Sequence, residues 1–247
     1  MDITVKFIAN HPACLTDEAL RPYPAAKHIP EWYREADLFT HKMTKEELIK
    51  FKEAGNQPPI GFKSCVPFFD AMTLGYVFPL PCDIEIISTD KGCTIIALDE
   101  QFKPNLQTRD KMKSFHVPEG YYEEHFHWET IWGIEAPAGW STLVIQPINR
   151  FELPYYTPAG VIDSDATTIS GRMPFFVKRG FNGVIAKGTP FIQVIPFQRL
   201  NWYSEFDIPP VEEQYKRRAL NSLTYRPTEF PFYGAYKKLK WVKKNYN

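Results

Sequence analysis

The chain has 247 residues, 44% of them hydrophobic and 15% aromatic, enough to bury one large core, or a core with a smaller lobe, without disulfides. Its 29 basic and 29 acidic side chains balance, which argues against a nucleic acid or other polyanion held across the whole surface. Twenty-two prolines against thirteen glycines interrupt helices and central strands, so the composition predicts a β-rich fold with few long helices.

The start, "MDITVKFIANHPACL", alternates apolar residues over 2–10 and reads as an edge strand. It carries an early aspartate and no long apolar region, so a secretion signal is not expected. No apolar run approaches membrane-spanning length, and the expected setting is a cytoplasm. Cys14, Cys65, Cys82 and Cys93 lie far apart with no CxxC pair, the pattern of reduced and mostly buried thiols. Helices are expected in "RPYPAAKHIPEWYREADLF" and "TKEELIKFKEAG", where Thr44 and Glu47 make a capping box and Gly55 offers a C-cap. Trp32, Tyr33 and Phe39 in this region can pack on a core or on a partner.

From 61 to 202 the texture changes to short strands at close spacing: "AMTLGYVFPL", "DIEIIST", "CTIIALD", "FHWETIWGIEA", "STLVIQP", "MPFFVKRG" and "FIQVIPFQ", with turns at "DKG", "PAG", "FNG" and "KGTP". No helices alternate with these strands. The pattern predicts a mainly β fold, a β-sandwich or clip-like barrel core with short helical additions at both ends. The expected division is 1–60 as an N-terminal strand and helical segment, 61–202 as the core, and 203–247 as a C-terminal helix with a basic aromatic tail. That helix starts at "PPVEEQYKRRALNSL".

"AGVIDSDATTISG" lies between two of the strands and places Asp163 and Asp165 in one short loop. Two carboxylates in a loop suit general-base chemistry, yet aspartate in a strand-to-strand turn equally accepts backbone N–H bonds without catalysis. Asn149 and Arg150 are candidates to hold that loop or a ligand, because arginine pairs well with planar carboxylates and phosphates.

"AGVID" followed by the "IQVI" strand resembles the deoxyuridine triphosphatase and deoxycytidine deaminase family of trimeric β-barrels, over roughly forty residues. The resemblance implies Asp163 as a water-activating base, Gln193 (the glutamine of the later strand) and Arg150 on substrate, and magnesium on the phosphates of a deoxynucleotide. The family's sugar-stacking tyrosine is replaced by Ala166, its phosphate-contacting segment reads "GWSTLVIQPINR" with Ser141, Thr142 and Arg150, and its glycine-rich arm is missing.

A second resemblance, over roughly 63–202, is carried by "KSCVPFFDAMTLGY", "APAGWSTLVIQPINR", "AGVIDSD", "PFFVKRG" and "KGTPFIQVIPFQR". It is similar to a family of uncharacterised phage and bacterial proteins, and implies a sandwich or clip-like domain with a virion or assembly role.

In "EEHFHWE" an extended strand puts His125, His127 and Glu129 on one face, the ligand set of a non-haem iron or cupin-like site. His116 is the nearby reserve. The plain alternative is a polar strand face with Trp128 and Trp132 turned to the core. The end of the chain carries five lysines between Lys237 and Lys244, interleaved with Leu239, Trp241 and Tyr246. It reads as a solvated basic end with packed aromatics, or as a grip on an acidic partner. With "FPFYGAY" before it, this end is the expected contact with another subunit or protein. Three functions stand open: a non-catalytic binding, assembly or structural protein; a deoxynucleotide hydrolase; and a metal-dependent oxygenase or isomerase.

Overall fold

The computed structural model describes residues 3–54, 56, 58–109, 116–167, 171–225, 236–237 and 240–246. The Gly55 C-cap and residues 230–235 of "FPFYGAY" lie outside the described residues. The chain forms two compact units: Met1–His28 with Met72–Arg199 and Tyr246, and Ile29–Ala71 with Leu200–Asn245 and Asn247.

The first unit is built of antiparallel strands: β1 (Lys6–Ala9), β2 (Tyr23–Pro24), β3 (Tyr76–Pro79), β4 (Ile84–Thr89), β5 (Gly92–Ala97), β6 (Leu106–Arg109), β7 (Tyr121–Glu129), β8 (Trp132–Glu135), β9 (Trp140–Ile145), β10 (Tyr155–Tyr156), β11 (Gly160–Ile162), β12 (Arg172–Lys178), β13 (Gly183–Ile185) and β14 (Pro190–Gln198). They order as β11-β9-β14-β3-β2, β10-β12-β7-β6, β13-β4-β5 and β1-β8. A sandwich-like β fold therefore forms, as the proline load and strand spacing predict.

One apolar cluster joins the three larger sheets. It takes Phe78 and Val194 from the first, Phe126 and Phe175 from the second, and Ile84 and Ile86 from the third. Alternation decides which side chains enter: in β7, Tyr122, Phe126 and Trp128 are buried in the core, while Tyr121, Glu123, His127 and Glu129 take the other face. The rings of Phe175 and Phe191 meet edge to face at 5.5 Å. The segment expected as one strand over 71–80 splits: the helix ends at Met72, Gly75 turns with φ of 67°, and β3 begins at Tyr76. A Cβ on Gly75 would stand 2.2 Å from the Val194 carbonyl oxygen, so this turn admits only glycine. "FHWETIWGIEA" likewise divides into β7 and β8, and β1 pairs with β8 as an edge.

The second unit holds α1 (Glu31–Glu35), α2 (Lys45–Glu53), α3 (Val66–Met72, Met72 at its boundary) and α4 (Val211–Tyr225). The capping box at α2 forms as the sequence predicts. The helix expected in "RPYPAAKHIPEWYREADLF" is confined to α1, because prolines at 22, 24 and 30 deny the stretch before it continuous backbone bonding. Tyr33 is buried and stacks on Phe68 and Phe69 at 6.0 and 5.9 Å, with its hydroxyl donating to the Lys63 carbonyl. Trp241 donates from Nε1 to both carboxylate oxygens of Asp70 on α3, at 3.0 and 2.8 Å, and Lys244 bonds the same group. This part of the basic tail is thus spent inside its own unit.

Cys14 and Cys82 are buried, Cys93 is half-buried and Cys65 is exposed, so Cys65 is the exception among thiols expected to be mostly buried. Burial pushes the Cys82 and Cys93 thiols up to about 11. Among the described residues no helix is long and apolar enough to cross a membrane.

Candidate functional site

β9 is flanked by β11 on one side and β14 on the other, with Thr142 opposite both Ile162 and Pro196. The chain leaves β11 at Ile162 and turns through Asp163, Ser164 and Asp165. The Ala166 amide donates back to the Asp163 carbonyl at 3.1 Å, so Ala166 closes the turn. Ser164 and Thr142, both fully buried, share a hydroxyl hydrogen bond of 2.8 Å that pins the middle of the turn to β9. The Ser164 carbonyl accepts from the Ala136 amide.

The two aspartates are held by a residue that the sequence reading did not single out. Arg199 follows β14, its amide bonded to the Gly139 carbonyl at 2.8 Å. Its side chain then crosses the end of β9, donating to the Trp140 carbonyl (3.0 Å) and Ser141 Oγ (3.1 Å). It reaches both oxygens of Asp165, with Nη1 at 2.8 Å from Oδ1, in the bidentate geometry that favours arginine. Asp165 also accepts from the Gly139 amide at 2.7 Å. The Arg199 guanidinium first, and this amide second, hold the Asp165 carboxyl down at about 2. Asp163 is more open: Oδ1 accepts from Ser141 Oγ at 2.7 Å and lies 3.3 Å from Arg199, while most of the side chain faces solvent. The signal for Arg199 was its place one residue past an apolar strand, which brings a long cation to the end of the sheet.

The other residues assigned to substrate are committed elsewhere. Gln193 is 1% exposed. Its Oε1 accepts from the Ile148 amide at 2.8 Å and its Nε2 donates to the Leu74 carbonyl, so the amide staples two connections together. Arg150 turns to Glu152 and to His28 Nδ1 (3.3 Å) rather than to the aspartate loop. Asn149 takes a left-handed φ of 59°, a conformation asparagine tolerates in turns.

His125 and His127 do share a face of β7, their rings 5.2 Å apart. The neighbours on that face are cationic, amide or apolar: on β6 Arg109 is opposite His125 and Gln107 opposite His127, and on β12 Phe176 is opposite His125, Pro174 opposite His127 and Arg172 opposite Glu129. The Arg172 guanidinium takes the Glu129 carboxylate at 3.4 Å. Desolvation chiefly, then His125, Arg109 and Arg172, lower the His127 pKa and favour its neutral form. His116 is exposed and lies outside the strand. Among the described residues no three His, Cys, Asp or Glu side chains gather to hold a metal, so His125, His127 and Glu129 do not make one. Nor do Asp163 and Asp165 fit magnesium, since a guanidinium already occupies the space between their facing oxygens.

The largest departure from the sequence reading lies past Arg199. Trp202, expected as the end of the core, is 89% exposed, and Tyr203, Phe206 and Ile208 are 91%, 86% and 83% exposed. Residues 200–208 form neither helix nor strand, and from 201 to 221 every residue but Pro209 is exposed.

The chain matches no protein-family model, and no curated protein is significantly similar to it in sequence.

Proposed function

We propose that this chain is a non-catalytic binding and assembly protein that docks through residues 200–221. The observation that carries the reading is the exposure of Trp202, Tyr203, Phe206 and Ile208 within seven residues, continued by Val211, Tyr215 and Leu220 on α4. Three aromatics at about 150–250 Å² each already match the largest apolar patch of an ordinary monomer, about 300–600 Å². α4 adds a second argument. A 15-residue helix in water is marginal without packing, and α4 is exposed along the whole of residues 211–221. A partner surface would bury the side chains that residues 200–208 and 211–221 leave exposed. The state of the aspartate turn agrees with this assignment, because its arginine, serine and backbone amide are spent on fixing the turn. The resemblance to phage and bacterial proteins gives the setting: a structural component of a particle or of a host-cell assembly.

The test is a photo-cross-linking amino acid at Tyr203 in the full chain, with one at exposed Val184 on β13 as control. The reading expects an adduct from position 203 whose second polypeptide is identified by mass spectrometry. Adding Phe206→Ser abolishes it while the melting temperature stays unchanged. Equal adducts from both positions, or none from either, overturn the reading.

A further inference from the structure

The assembly reading leaves the partner open, and the sequence of α4 narrows it. Its first turn is acidic, Glu212 and Glu213, and the next is basic, Lys216, Arg217 and Arg218. Two such helices laid antiparallel oppose unlike charges in both halves, and their macrodipoles are then also antiparallel. Parallel pairing would oppose like charges.

Resting on that reading, we propose that α4 pairs antiparallel with α4 of a second copy of this chain, about a two-fold axis passing at Tyr215. Around that point the register sets Tyr215 on its own equivalent and Val211 on Ala219, with Glu212 beside Lys216 of the second copy on one flank of the stripe. Val211, Tyr215 and Ala219 recur every four residues and so form one stripe along the helix. Glu212 and Glu213 already pair with Lys216 and Arg217 within the helix, at 3.1 and 2.7 Å. In this register Glu212 and Lys216 of both copies gather on that flank as two carboxylates and two ammonium groups.

The available area agrees with a second copy. The exposed side chains of residues 200–208 and of Val211 and Tyr215 together offer about 1,000 Å² per chain, against about 800 Å² per partner in a standard interface. An isologous two-fold contact uses the same patch twice, so one self-complementary helix and its aromatic leader suffice. The zero formal net charge removes the general repulsion that would oppose self-association.

The experiment is sedimentation equilibrium of the full chain, wild type and two charge reversals, Glu212→Arg and Lys216→Glu. The wild type is expected at twice its 28.7 kDa mass. Each reversal alone sets like charges together on that flank and weakens dimerisation at least tenfold. Mixing the two variants restores unlike charges across the pair and returns the wild-type affinity, a result that a general loss of helix cannot give. A dimer indifferent to both reversals, or a mixture as weak as either variant, overturns the proposed pairing. A wild type that stays monomeric overturns it too. If that monomer still forms a Tyr203 adduct with a different polypeptide, only the self-pairing fails; if it forms none, the assembly reading fails with it.

Discussion

Replacing Gln193 by leucine separates the two roles open to that residue. As a ligand group it would be dispensable to the fold; as the staple seen here it is not. Leucine fills similar volume but removes the acceptor of the Ile148 amide and the donor to the Leu74 carbonyl. Both backbone groups are half-buried, so each loses between a net hydrogen bond and a full desolvation penalty, about 1–2 kcal/mol apiece. The sum is about 3 kcal/mol, and for a unit of roughly 150 residues each kcal/mol lowers Tm by about 2–4 °C. Calorimetry of Gln193→Leu should therefore show Tm lower by about 6–12 °C. A shift below about 2 °C would mean that the amide is not structural, and would return Gln193 to the list of ligand groups.

Asp165 gives a pH signature. Its folded value lies at about 2 against an ordinary 3.8, so its stabilisation is complete above 3.8 and is lost as pH falls through 2. Urea midpoints of the wild type should drop across that window, and those of Arg199→Met should drop less; parallel curves would count against the clamp. His127 works in a higher window: with its value lowered, the stability it contributes is present above 6.5 and declines as pH falls below that. NMR titration of Arg172→Gln should move the His127 midpoint upward, and no movement would remove Arg172 as a cause. Gly75→Ala places a Cβ 2.2 Å from the Val194 carbonyl at a left-handed φ. That conformation alone costs about 1–2 kcal/mol, and with the clash urea unfolding should register more than about 2 kcal/mol; an unchanged midpoint would mean that β3 and β14 can separate freely.

The strands were legible because alternation and β-branched runs are local signals, and the α2 capping box because Thr44 and Glu47 stand three residues apart. The Gly75 turn was hidden, since what excludes a side chain there is the carbonyl of Val194, more than a hundred residues away. The site was half legible for the same reason. "VIDSD" marks the turn, but the cation that closes it comes from β14, and sequence distance made Arg150 look the nearer candidate. The end of the core was less legible: it was expected at Trp202, whereas the long segment of the first unit ends at Arg199, and nothing in composition tells an aromatic that closes a core from one that waits for a partner.

Hydrogen exchange along α4, measured on the full chain at low and high protein concentration, tests most directly whether this segment is a docking element for a second copy. A helix with no packed face opens at almost no cost, and its amides exchange nearly as fast as in an unfolded chain. The account predicts such fast exchange across residues 211–221 in dilute protein and protection that grows with concentration, with Trp202→Ser delaying its onset. Fast exchange that stays the same at every concentration would contradict it.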